Sequence, residues 1–249
     1  MARSRSEYEL GLGMYGEGNV GGALEHLLEA VRLDPENVEA LWVLGTLYAF
    51  RGEYARAEEY LNRTIQANER LGRAGIPALT PDAKNTLGVV YIHTRRYEDA
   101  IRVLQASASD PMNRTPHLAW GNLGWAHFER GELDQAQAAL EQAIRLQPRF
   151  CAGRYRLAQV FFEKGRVSAG RSDREAEEWF ARSEESLDRT LESGQEECKA
   201  LQEAWLLRGE VRARRGRKNE AIADFERCVE LDPQTKTGRL CAQFLEEDS

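Results

Sequence analysis

Small and apolar residues return along this chain at regular intervals, and the intervals predict paired helices. A small residue stands at Gly11, Gly45, Gly88, Gly124, Ala158 and Gly209, with spacings of 34, 43, 36, 34 and 51 residues. A second series, Ala23, Ala57, Ala100, Ala136 and Ala221, falls on the partner helices, because two helices that cross closely need small side chains where they meet. Pro35, Pro148 and Pro233 end second helices, since proline cannot continue the hydrogen-bond ladder and disfavours helix in the residue before it. The pattern divides the chain into six units at about 4–37, 38–80, 81–116, 117–150, 151–201 and 202–235. Residues 236–249 then form a capping helix and tail, with Leu240, Phe244 and Leu245 on one amphipathic face.

The run AWGNLGWAHFERGELDQAQAALEQAIRLQP carries Trp120, Leu123, Gly124, Ala136, Leu140, Ala143 and Pro148 at the offsets of the tetratricopeptide pattern, with His127 in the usual tyrosine place. Trp205, Gly209, Ala221, Phe225 and Pro233 repeat those offsets. The chain therefore resembles tetratricopeptide-repeat proteins. The resemblance implies an all-α fold, a right-handed superhelix of six helix-turn-helix units plus a C-terminal capping helix, forming one solenoid domain over 1–249. The long spacings locate insertions: NERLGRAGIPALTPD lengthens the second helix of the second unit or its exit loop, and GRVSAGRSDREAEEW lies between the helices of the fifth and extends the start of its second helix.

In this repeat class the inner positions of the first helices line the concave surface. Here they hold Tyr8, Leu12 and Tyr15, then Trp42 and Phe50, then Val89 and Ile92. Leu118, Trp125 and Phe128 follow in the fourth unit, and Tyr155 and Phe162 in the fifth. An apolar, aromatic-rich groove suits a partner protein that offers an apolar or amphipathic segment, such as a helix laid into it. The alternative is that some of these side chains pack on neighbouring first helices or on the chain's own N-terminus. A clamp for a C-terminal carboxylate is not expected, because Tyr8, Leu12, Trp42, Thr46, Asn85 and Val89 occupy the central positions where Lys, Asn and Arg would be needed.

Composition narrows the function further. With 42% hydrophobic and 30% charged residues the chain can bury a core. A formal net charge of -7 disfavours nonspecific contact with phosphate backbones, so nucleic acid is not an expected partner. No apolar run approaches the roughly 20 residues that span a bilayer. The opening MARSRSEYEL lacks an apolar signal core, which fits either a cytosolic protein or a chain whose export segment has been removed.

Catalysis has no footing in the sequence: His26, His93, His117 and His127 show no metal-ligand spacing, and no glycine-rich loop matches a nucleotide fingerprint. Neither an enzyme nor a cofactor is expected. The basic run RARRGRK at 212–218 reads as a solvated turn at a helix end, with contact to anionic lipid headgroups or an acidic partner as the alternative. Four cysteines, Cys151, Cys198, Cys228 and Cys241, all lie late in the chain. Cys228 and Cys241 stand at similar distances from the turn at Pro233, and Cys151 and Cys198 stand near the starts of successive first helices. Disulfides 151–198 and 228–241 are compatible with those positions and imply an oxidising compartment; buried thiols acting as small apolar groups are the alternative.

The six-unit spacing, together with the N-terminal run YELGLGMYGEGNVGGALEHLLEAVRLDPENVEALWVLGTLYAFRGEYARAEEYLNRTI, resembles the pilotin family of type IV pilus systems, most of all its myxobacterial member. That resemblance implies a monomeric outer-membrane lipoprotein on the periplasmic face of the bacterial outer membrane. It would be anchored by an N-terminal lipid and would promote assembly and placement of the secretin in pilus biogenesis, and hence twitching or social motility. The secretin subunit would then be the groove's partner. The signal peptide and lipidated cysteine of that family are absent from this sequence. The competing expectation is a cytosolic tetratricopeptide scaffold or co-chaperone.

Overall fold

The computed structural model describes residues 2–71 and 79–247. Among the described residues every regular element is a helix, and the chain forms two compact units, 1–129 and 130–249.

Unit 1 holds α1 (Ala2–Gly16), α2 (Val20–Leu33), α3 (Val38–Phe50), α4 (Tyr54–Leu71), α5 (Thr80–His93), α6 (Tyr97–Ala108) and α7 (Pro116–Glu129). The helices pair as antiparallel hairpins because each ruler glycine receives a leucine from the next helix. A Cβ on Gly11 would lie 2.8 Å from Leu27 Cγ, on Gly45 2.7 Å from Leu61 Cγ and on Gly88 2.3 Å from Leu104 Cγ. The alanine of the second series lies one turn before each of those leucines, and Ala23, Ala57 and Ala100 are fully buried. Each hairpin turns on a residue at positive φ: Gly18, Gly52 and, unusually, Arg95 at 59°. Asparagine side chains start α2 and α3, Asn19 accepting from the Gly22 N–H and Asn37 from the Ala40 N–H. Residues 72–78 of the second-unit insertion lie outside the described residues, while its beginning lengthens α4 to 18 residues.

Unit 2 holds α8 (Leu133–Leu146), α9 (Cys151–Ser168), α10 (Asp173–Leu191), the single turn α11 (Glu196–Lys199), α12 (Gln202–Arg214), α13 (Lys218–Leu231) and α14 (Lys236–Glu247). The fifth-unit insertion lengthens the start of the second helix as expected, but only its residues 169–172 lie between helices. It extends both partners, giving α9 18 residues and α10 19. The close pass consequently moves from Ala158 to Gly165, where a Cβ would lie 2.6 Å from the Phe180 ring. Ala158 instead offers its carbonyl to the Ser183 hydroxyl at 2.8 Å.

At the C-terminal end Phe225 fills the space over Gly209 and stacks on Phe244 at 5.0 Å between ring centres. Leu245 joins that cluster, but Leu240 is 37% exposed and Cys241 takes the buried place beside it. Disulfides join Cys151 to Cys198 and Cys228 to Cys241. The buried Gln202 amide ties the elements together, donating to the carbonyls of Cys228 and Asp232 at 2.7 Å each and accepting from the Thr235 hydroxyl at 2.6 Å.

The basic run at 212–218 is not a solvated turn. Arg212 donates to Glu184 at 2.8 Å and to Asp224 at 2.9 Å, and Arg215 and Arg217 also end on Glu184. Glu184 and Asp224 are each 2% exposed. Buried carboxylates must be paired or lose their charge, so the acids of α10 and α13 draw the arginines inward.

Candidate partner-binding groove

Within unit 1 the first helices α1, α3, α5 and α7 carry the inner positions. Tyr8, Trp42, Val89, Trp125 and Phe128 are half-buried, whereas Leu12, Tyr15, Phe50 and Leu118 are exposed, Phe50 by 85%. A single exposed apolar residue is ordinary, and Phe50 counts here because other apolar inner positions stand exposed or half-buried on the same set of helices. Burial, followed by the charges of Glu39 and Glu9, pushes the Tyr8 phenol up from its ordinary value. The indole N–H of Trp42 is buried and has no hydrogen-bond partner. Trp125 donates its indole N–H to Glu129 at 3.0 Å.

Thr46, Phe50, Tyr54, Asn85, Val89 and His93 line a cavity of about 440 Å³ between α3 and α5. His93 stacks on Tyr54 at 5.4 Å and meets Trp125 edge-on at 5.2 Å. Beside them Asn122 donates to the Asn85 side-chain oxygen at 3.0 Å. The surface thus offers apolar and aromatic faces for side chains and amide groups suited to a peptide backbone.

Ile92 and Phe162 depart from the expectation. Ile92 is 4% exposed, because α5 is packed by α3, α4, α6 and α7 and its buried residues run round the helix. Phe162 is 7% exposed and belongs to the core of unit 2, its ring 5.8 Å from that of Phe180. Tyr155 packs against the same cluster, and burial pushes its phenol up to about 12. The lengthened α9 and α10 turn these fifth-unit residues inward. The groove residues that remain part-exposed and clustered are those of unit 1.

Tetratricopeptide repeat models match residues 8–70, 52–113, 117–150 and 202–235. The chain belongs to the tetratricopeptide-repeat family. Its fold is similar to that of PilF from Pseudomonas aeruginosa, with a TM-score of 0.73 and 18% identity, covering 99% of this chain and 98% of PilF. It is also similar to PilW, a widely conserved type IV pilus biogenesis factor, with a TM-score of 0.68 and 17% identity over 95% of this chain and 97% of PilW. Among curated relatives, the human protein O-mannosyl-transferase TMTC1 is 24% identical over 191 residues, 76% of this chain but 19% of that protein. The chain thus spans about a fifth of that relative's length.

Two of the groove's contributors were missed by reasoning from the family pattern. Tyr54 opens a second helix, where inner-surface residues are not sought, and His93 reads as structural because it lacks metal-ligand neighbours. Their signal was present in the alignment of repeats, since His93 occupies the place that Phe50 holds one unit earlier. Among the described residues no group of three or more His, Cys, Asp and Glu could hold a metal ion, and no helix is long and apolar enough to cross a membrane.

Proposed function

We propose that this protein is a non-enzymatic, pilotin-type assembly factor. Its unit 1 groove receives an apolar or amphipathic segment of a type IV pilus secretin and promotes the secretin's assembly and placement in the outer membrane. The observation that carries the reading is a part-exposed aromatic groove in a chain whose fold follows two pilus-biogenesis proteins over nearly the full length of each. By contrast, the Cut9-Hcn1 chain that this fold follows with a TM-score of 0.74 is matched over 42% of its length, and TMTC1 over 19%.

The groove chemistry supports a peptide ligand. Trp42 and Trp125 supply large rigid surfaces, Phe50 stands free to close over a side chain, and the Asn85–Asn122 pair lies where a backbone would run. Two disulfides support an oxidising compartment, as the periplasmic face of the outer membrane would be, over a cytosolic scaffold. A lipid anchor and a monomeric state belong to the same proposal.

The deciding experiment compares detergent-resistant secretin multimer in outer membranes of the source bacterium with and without this gene. Loss of multimer while secretin monomer persists is the expected result. Unchanged multimer would overturn the assembly role and leave a peptide-binding scaffold of another system.

A further inference from the structure

Within unit 2, α8, α9 and α10 enclose a slot of about 310 Å³ lined by Arg145, Arg154, Arg182 and Arg189, with Glu141 and Glu185. Its apolar floor is Ile144, Leu157 and Phe161. Helical register orders these residues along the slot. Arg154 and Phe161 are seven residues apart on α9, and the antiparallel α10 meets them with Arg189 and Arg182 respectively. Glu141 lies beside Arg182, 4.0 Å away, so Arg145, one turn further along α8, lies toward the end where Arg154 and Arg189 meet. That end therefore gathers three arginines, Arg145, Arg154 and Arg189.

Elsewhere in unit 2 several arginines end on carboxylates, as Arg208 and Arg212 do on Asp224. The slot breaks that habit. Arg145 gives both Nε and Nη2 to the amide oxygen of Gln142, at 3.1 and 2.8 Å. Arg154 gives Nη1 to the Arg189 backbone carbonyl at 3.3 Å. Only Arg189 has a close acid, Glu185 at 2.6 Å, and both members of that pair face solvent. Burial, then the neighbouring charge of Arg189, lowers the proton affinity of Arg154, so its charge is unrelieved where it stands. The first turn of α9, to which Arg154 belongs, holds no acidic residue and no side-chain cap, leaving the positive end of the helix dipole at the same place.

We propose that this end of the slot binds a phosphate ester of the glycerophosphate type, free in solution or carried as the head group of an anionic phospholipid. Several guanidinium forks suit a tetrahedral oxyanion with oxygens to spare better than they suit one carboxylate. The space takes a small head group and cannot take a helix, whose diameter with side chains is about 10–12 Å. Leu157 and Ile144 lie alongside to receive the apolar part of an ester.

The test titrates the full-length chain with sn-glycerol 3-phosphate by calorimetry at constant ionic strength, and sediments it with phosphatidylcholine vesicles that contain or lack phosphatidylglycerol. Each arm is repeated with Arg145→Gln plus Arg189→Gln, and with Arg102→Gln plus Arg227→Gln as a control of equal charge change at exposed ion pairs elsewhere. Circular dichroism checks folding, and Arg145→Gln alone, which disturbs only the contact with Gln142, serves if the double variant melts early. Saturable binding weakened about tenfold or more in the slot variants, and unchanged in the control, is expected. Such binding in the soluble arm alone assigns a free ester, and in the phosphatidylglycerol arm alone a lipid head group. Binding to neither probe, or equal loss in slot and control variants, overturns the proposal.

Discussion

Arg208 and Asp224 meet in the interior of unit 2, Nη2 to Oδ1 at 2.7 Å and Nε to Oδ2 at 3.0 Å, with 5% and 2% of each residue exposed. Arg212 shares the same carboxylate, and Asp188 takes the remaining reach of Arg208 at 2.9 Å. Removing one member of such a cluster leaves charge buried without compensation. Asp224→Ala is expected to cost about 3–5 kcal/mol in urea unfolding. A loss below about 1 kcal/mol would mean that the arginines find water or other acids without penalty.

Arg95 offers the opposite sign. It occupies the left-handed turn position that glycine fills at Gly18, Gly52, Gly131 and Gly216. Arg95→Gly should stabilise the protein by about 1 kcal/mol, read as a higher midpoint in chemical unfolding, because the Cβ strain disappears.

The hairpin contact of α5 with α6 has no spare room. Gly88→Ala places a methyl group against Leu104 and should destabilise by about 1–3 kcal/mol. Leu104→Ala alone should cost about 2–5 kcal/mol by opening a cavity. In the double variant the two losses should fall short of their sum, because the new methyl group enters the vacated space. Simple additivity would show that the helices move apart instead.

Cys228 and Cys241, 13 residues apart, close the loop that holds α14 against α13. Replacing both with serine should lower stability by about 3 kcal/mol, chiefly through the freedom returned to the unfolded chain. Thermal melting with and without reductant measures it. The wild-type protein should shift with reductant, while a variant lacking all four cysteines should not.

For the groove, Trp42→Ala with Trp125→Ala should weaken binding of the partner segment by about 2 kcal/mol or more while leaving helical circular dichroism nearly intact. Trp42→Phe separates shape from hydrogen bonding, since the indole N–H lacks a partner within the protein. If Phe binds as tightly as Trp, that N–H is not used by the ligand. Unchanged binding in the double alanine variant removes the groove from the mechanism.

How much of this was readable in advance depended on whether a feature repeats. The ruler glycines and trailing alanines stand at recurring offsets, so the hairpins of unit 1 could be drawn from spacing alone. The fifth unit could not, because two lengthened helices shift the crossing from Ala158 to Gly165 and carry Phe162 and Tyr155 into the core. The ion cluster was invisible for another reason. A run of arginines reads as surface until its acids are located, and Glu184 and Asp224 lie on two other helices, 28 and 12 residues from Arg212. The cysteine positions about Pro233 suggested a pairing without choosing it over buried thiols. In the groove, aromatic residues were legible by position, but their exposure was not: Phe50 and Ile92 satisfy the same rule and end on opposite sides of the packing.

Every cysteine of the chain lies in unit 2, so every covalent cross-link does too. Unit 1 is held by noncovalent contacts alone: packing, hydrogen bonds and ion pairs such as Arg96 with Glu58. Its helices can therefore breathe apart, exchange amide protons and re-form without any change of oxidation state, whereas in unit 2 the α9–α10 hairpin and the α13–α14 pair cannot separate fully while their bonds stand. A segment threading between α3 and α5 would meet the half of the molecule whose opening costs only reversible local melting. The stapled half would keep its folded form through repeated cycles of capture and release.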